Sequence, residues 1–247
     1  SLEDARGGLI PVPYDSTTSY RGGARDGPRA IIAASRQLED YDLELDRDIS
    51  EVGIYTAPEI EPDVSGPEAM VERVRRVVKS VADKDKLVGL LGGEHTITTG
   101  AVKALTSLYP DLSVLYMDAH ADLREEYMGT GWGHASVARR LHDICPLIEV
   151  GVRSLSSEEL RFISDAEIPV VFWHSETMDM SKLATQVLES LSDHVYVSVD
   201  LDVFDPSTMA AVGTPEPGGM TWPEVTGLLR TIAEQRSIVG FDLAELT

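Results

Sequence analysis

The sequence predicts a three-layer α/β/α fold built on a mostly parallel central sheet. Two observations predict it. Short runs of β-forming apolar residues alternate with helical patterns along the chain, as expected when strands are joined by crossover helices. The residues best suited to metal chemistry also fall directly after such runs. In open parallel sheets, ligands bind there, outside the carboxyl ends of the strands.

Residues 9–13 read as the first strand, and a Ser/Thr/Gly-rich loop follows. Gly27-Pro28 opens a helix expected over residues 29–38, with Pro at its first turn. Ser65-Gly66-Pro67-Glu68 starts a second helix, in which Ala69, Met70, Val74, Val77, Val78 and Val81 keep helical spacing. Residues 87–91 form a compact strand ending in Gly92-Gly93, and a helix over residues 98–108 follows. The strand at 112–117 runs straight into Asp118. A polar, Gly-bearing loop over 124–133 then leads to a helix at 135–141. Strands at 147–152 and 168–172 flank a helix at 157–164. A helix at 181–191 precedes a strand at 195–199 that runs into Asp200, and a helix at 223–235 precedes the last strand at 238–243.

Composition narrows the function. The 43% hydrophobic content supports a sizeable core, and the longest apolar runs are strand-sized, too short to span a membrane. Ser1 opens a polar segment without a charged n-region and apolar h-region, so a signal peptide is expected to be absent or already removed. The net charge of −21 disfavours nucleic acid and anionic membrane as partners and favours cationic ligands. Cys145 is the single cysteine, which excludes an intrachain disulfide and cysteine-based zinc sites and fits a reducing cytoplasm.

The chemistry concentrates in three places. His95 follows Gly92-Gly93-Glu94, Asp118-Ala119-His120-Ala121-Asp122 follows the next strand, and Asp200-Leu201-Asp202 a later one. Residues two apart in an extended segment face the same side, so Asp118, His120 and Asp122 are expected to converge, as are Asp200 and Asp202. Four aspartates brought together repel strongly unless cations neutralise them. Two divalent ions match their charge, with the two histidines neutral. A single Asp-x-His is usually a cap or a surface turn; three motifs on one sheet edge are not. Oxygen-dominated ligands with some imidazole favour manganese, and two ions about 4 Å apart can share one hydroxide as nucleophile.

With these residues in view, the chain resembles the ureohydrolase (arginase/agmatinase) family, most like archaeal and bacterial agmatinases. The matching segments are Gly92-Gly93-Glu94-His95-Thr96, Asp118-Ala119-His120-Ala121-Asp122, Ser198-Val199-Asp200-Leu201-Asp202, residues 213–219, Gly240-Phe241-Asp242-Leu243-Ala244-Glu245 and residues 25–31. The resemblance implies an arginase/deacetylase-like fold and one catalytic domain over residues 1–247. It also implies that this domain lacks the coil and terminal helix with which relatives continue beyond Glu245. By resemblance, one Mn2+ takes His95, Asp118, Asp122 and Asp200, and a second takes His120, Asp118, Asp200 and Asp202, with a bridging hydroxide. Asp122 would pass a proton to the departing amine. His134 would act as a loop proton shuttle or substrate contact, and Glu245 would grip the guanidinium. Glu94 and Ser198 would orient metal-binding side chains, and residues 213–219 would line the pocket.

The implied reaction is agmatine to putrescine and urea. The alternatives are a guanidinobutyrase or an arginase and, from another class, a one-zinc deacetylase-like hydrolase or a catalytically silent metal-binding relative. Glu125 or Glu126 could help attract a diamine-like tail, but solvated loop charge is the favoured reading of both. The resemblance also implies a homo-oligomer, a trimer or hexamer.

Overall fold

The computed structural model describes residues 1–82, 86–174 and 178–247. Eight strands form the central sheet: β1 Gly7–Val12, β4 Ile54–Thr56, β5 Leu87–Gly92, β6 Ser113–Met117, β7 Leu147–Val152, β8 Val170–Phe172, β9 His194–Asp200 and β10 Ser237–Ala244. Their order is β4-β1-β5-β10-β9-β6-β7-β8, and every neighbouring pair is parallel. A separate antiparallel hairpin joins β2 Tyr41–Asp42 to β3 Arg47–Asp48. The helices are α1 Gly27–Ser35, α2 Pro67–Ala82, α3 Ile97–Leu105, α4 Val137–His142, α5 Ser157–Asp165, α6 Met180–Ser190 and α7 Trp222–Gln235. None of the described helices is long and apolar enough to cross a membrane.

Local sequence explains where the helices begin. α5 starts in a capping box in which Ser156 and Glu159 satisfy each other's backbone N–H groups. At the start of α7, Thr221 donates both its amide and its hydroxyl to Glu224 Oε2, with Pro223 in the first turn. Asp179 caps α6 by accepting from the amides of Ser181 and Lys182. α1 stops at Ser35, short of the expected residue 38. Only Gly27 and Pro28 of this helix are buried, so no apolar stripe extends it. β4 was not expected: three residues at a sheet edge give too short a pattern to read.

Side-chain alternation builds a core on each face of the sheet. Val114 and Tyr116 of β6 pack with α2, α3, α4 and α5, whereas Leu115 and Met117 pack with α6 and α7. Two glycines shape the sheet's carboxyl edge. Gly151 has φ 106°, and a Cβ there would lie 2.9 Å from the Asp118 carbonyl oxygen. It marks an irregularity in the β7–β8 register between Val150 and Val152. At Gly93 a Cβ would lie 2.0 Å from the Tyr14 carbonyl oxygen, so only glycine lets the loop after β1 pass so closely.

β10 enters between β5 and β9, and β9 lies beside β6. Leu243 pairs with Leu91, Ala244 with Asp200, and Met117 with Val199. The carboxyl ends of these four central strands are therefore level, and the motif residues project from one edge.

Glu149 on β7 is a buried carboxyl beside Tyr116, and neither of its oxygens has a hydrogen-bond partner among the described residues. Burial, reinforced by Asp118 and Asp122, pushes its pKa well above the ordinary value of 4.5. The folded state therefore binds a proton that the unfolded chain releases above that pH. Stability from this group is complete below the unfolded pKa and falls as pH rises toward the native one, by about 1.4 kcal/mol per pH unit. Glu149→Gln removes that slope. Urea unfolding between about pH 5 and pH 8 should show the variant gaining on the wild type as pH rises, and parallel curves would contradict this.

Candidate metal centre

His95 lies just beyond β5, Asp118 directly follows β6, Asp200 ends β9, and Glu245 follows β10. The expected convergence of Asp118, His120 and Asp122 occurs, although extended geometry does not produce it. Asp122 has φ 49°, a left-handed conformation, and residues 201–203 form a 3-10 turn. Side-chain to backbone hydrogen bonds close these loops: Asp118 Oδ1 accepts from the His120 amide at 2.6 Å, and Asp200 Oδ1 from the Asp202 amide at 2.9 Å.

Two clusters result, sharing Asp118. In the first, His95 Nδ1 lies 3.1 Å from Asp118 Oδ2, 3.2 Å from Asp200 Oδ2 and 3.8 Å from Asp122 Oδ2. In the second, His120 Nδ1 lies 3.1 Å from Asp202 Oδ2 and 3.5 Å from Asp118 Oδ1. His95-Asp118-Asp122 and Asp118-His120-Asp202 each gather ligand atoms closely enough to hold an ion. The four aspartates are at most 7% exposed. Imidazole and carboxylate donors without thiolate suit a hard or borderline divalent cation, so the residues fit a two-metal site.

The electrostatics are those of an overcharged site. Burial opposes a proton on either histidine, yet the neighbouring carboxylates outweigh it, raising His95 well above its ordinary range and His120 to about 12. Burial, followed by repulsion from neighbouring aspartates, raises Asp122, Asp200 and Asp202. Burial also raises Asp118, but its hydrogen bonds with His120 and His95 prevail and lower it. Without cations, protons supply the compensating charge.

A cavity of about 280 Å³ opens onto this cluster and is lined by His120, Asp122, Asp200, His134 and Glu245, with Tyr127 among its other walls. Glu245, at φ 68°, accepts the His95 amide on Oε1 at 2.8 Å. Burial pushes its carboxyl up to about 8. His134 is held between Thr17 Oγ1 and Ser19 Oγ, each 3.2 Å from a ring nitrogen. Burial, followed by the charge on His120, lowers it to about 4. Thr214 lines the cavity from the 213–219 loop, and its hydroxyl donates to Asp202 at 3.2 Å.

One expectation changes. Among the described residues, the Glu94 carboxylate bonds no metal-site side chain. Its carboxylate accepts from the Thr17 amide and hydroxyl and from Thr96 Oγ1, so it anchors the loop that carries Thr17 and thereby His134. Glu125 turns away from the cavity to Arg139 and Arg140, at 2.6 and 3.2 Å, and Glu126 is exposed and absent from the cavity wall. Two residues were overlooked. Tyr116 donates to Asp122 Oδ2 at 2.8 Å and stacks on His95 with the rings 8° from parallel. Within an apolar strand it reads simply as core. Asp242 carried a visible signal, a charge between Phe241 and Leu243 inside a strand.

Residues 5–247 match the arginase family. The chain belongs to the arginase family. Within it, the chain is 39% identical to the N(1)-aminopropylagmatine ureohydrolase of Thermus thermophilus, over 99% of this chain and 84% of that protein. It is 37% identical to the agmatinase of Pyrococcus horikoshii, over 100% of this chain and 85% of the other. The crystal structure of the agmatine ureohydrolase of Thermoplasma volcanium superposes with a TM-score of 0.92 at 33% identity, covering 100% of this chain and 83% of that one. The arginase-family fold places the sheet edge, the aspartate cluster and the cavity together, as the motifs predicted.

Because His95 and His120 hold protons in the metal-free protein, loading with Mn2+ near pH 7 should expel them. Calorimetric titration in buffers of different ionisation enthalpy should report more than one proton released per chain. Binding without proton release would contradict the charge balance described above.

Proposed function

We propose that this arginase-family chain hydrolyses a guanidino group to urea and an amine, with agmatine the favoured substrate and putrescine its product. The observation that carries this reading is the pair of carboxylate–imidazole clusters sharing Asp118 and opening onto the same cavity as Glu245. One divalent ion would be held by His95, Asp118, Asp122 and Asp200, and the other by His120, Asp118, Asp200 and Asp202. Both are read as manganese from the oxygen-rich donor set. Bound there, the pair would make a water acidic enough to supply a nucleophile at neutral pH.

The chain's own residues do the rest. Glu245 spends Oε1 on the His95 amide and keeps Oε2 for a planar cation. A guanidinium against it would favour the carboxylate over the acid that burial alone prefers. Asp122 faces the cavity, with Oδ2 fixed by the Tyr116 hydroxyl, and is placed to carry a proton to the departing amine. His134 stays neutral at physiological pH and can accept a proton at a ring nitrogen; Thr17 and Ser19 fix its position.

Relatives named N(1)-aminopropylagmatine ureohydrolase support a second substrate within the same reading. Such a substrate would leave urea and a triamine. Urea release from agmatine, N(1)-aminopropylagmatine, arginine and guanidinobutyrate, with and without added Mn2+, tests both. Agmatine or its aminopropyl derivative should be cleaved with the highest kcat/KM, and only with metal. Absence of urea from all four substrates in metal-loaded protein would overturn the proposal.

A further inference from the structure

We propose that Asp242 is a positioning residue that fixes the tautomer of His95 through Ser198, turning the His95 Nδ1 lone pair toward the aspartate cluster. The inference rests on the metal-binding reading above and adds a residue to it.

Asp242 is fully buried on β10, and every partner given by its geometry is a hydroxyl. Oδ1 accepts from Ser198 Oγ at 2.8 Å, and Oδ2 accepts from Thr98 Oγ1 at 2.8 Å and from Tyr196 OH at 2.7 Å. An ionised carboxylate only accepts, so each of these hydroxyls gives it its single proton. Burial raises the Asp242 pKa, while His95 and the three hydroxyls counter that rise.

Ser198 decides the argument. Its oxygen also lies 2.7 Å from His95 Nε2 and 3.3 Å from Thr98 Oγ1. With one proton to place, Ser198 gives it to the charged carboxylate, the strongest acceptor within reach. Its oxygen must then accept from His95, which puts a proton on Nε2. In neutral imidazole the other nitrogen, Nδ1, carries the lone pair. Nδ1 is the atom that approaches Asp118 and Asp200. Among the described residues His120 has no such relay; its Nε2 faces Glu216 Oε1 at 3.7 Å.

Asp242→Asn keeps the shape and reverses the proton direction. The amide satisfies most neighbours when its oxygen accepts from Thr98 and Tyr196 and its NH2 donates to Ser198. Ser198 then donates to His95 Nε2, the imidazole proton moves to Nδ1, and a proton occupies the position a metal requires.

Mn2+ titration by equilibrium dialysis, with urea unfolding on the same samples, tests this without measuring turnover. In Asp242→Asn, one of two ions should bind about 10- to 100-fold more weakly while the other keeps wild-type affinity. Ser198→Ala removes the relay and should weaken the same single ion, so it decides the matter if the Asn variant does not fold. Tyr196→Phe removes another Asp242 partner but not the relay, and should bind both ions as the wild type does. Two ions at wild-type affinity in Asp242→Asn, or in Ser198→Ala where the Asn variant is unfolded, would overturn the inference. Equal loss of both ions in Asp242→Asn and Tyr196→Phe would also overturn it, by showing a packing role. Wild-type protein that binds no Mn2+ would overturn the metal reading as well, which separates the two failures.

Discussion

Repulsion among Asp118, Asp122, Asp200 and Asp202, buried together at one sheet edge, is the constraint around which the rest is arranged. Carboxylates removed from water and placed within a few ångströms of one another cannot all stay ionised unless positive charge joins them. Without cations, protons on His95 and His120 and raised carboxyl pKa values take that role. Divalent ions do so while leaving the imidazoles neutral, so the apparent instability of the cluster is its affinity for metal.

The fold makes this crowding possible. β10 inserts between β5 and β9, so the chain ends of four adjacent parallel strands deliver His95, Asp118, Asp200 and Glu245 to one edge. Tight backbone passages set the final positions: Gly93 against the Tyr14 loop, and Gly151 against the Asp118 carbonyl. Asp122 and Glu245 both adopt left-handed conformations, a local strain that surrounding hydrogen bonds hold and that commonly marks functional positions. Behind the cluster, Ser198 and Asp242 on the His95 side and Thr214 on the Asp202 side anchor the side chains that the ions would use.

Much of this was legible in the sequence. Alternation of period-2 and period-3.6 patterns identified the parallel sheet, and Asp-x-His-x-Asp and Asp-x-Asp placed directly after strands located the cluster. What stayed hidden has physical causes. β4 is a three-residue edge strand without room for a pattern. Tyr116 occupies an inward strand position, where composition cannot separate a packed ring from a hydroxyl aimed at Asp122. Glu94 bonds Thr17, 77 residues away in the chain, a partnership that only the tertiary structure creates. The loop charges behave as the solvated surface groups they were read to be: Glu125 finds Arg139 and Arg140 on the following helix, partners that spacing alone could not name.

The donor set at this edge calls for two divalent ions, with Asp202 serving only one of them. Metal content after loading with Mn2+ and exhaustive dialysis tests it most directly. The wild-type chain should retain two ions and folded Asp202→Ala at most one. Two ions retained by the variant at wild-type affinity, or fewer than two in the wild type, would contradict it.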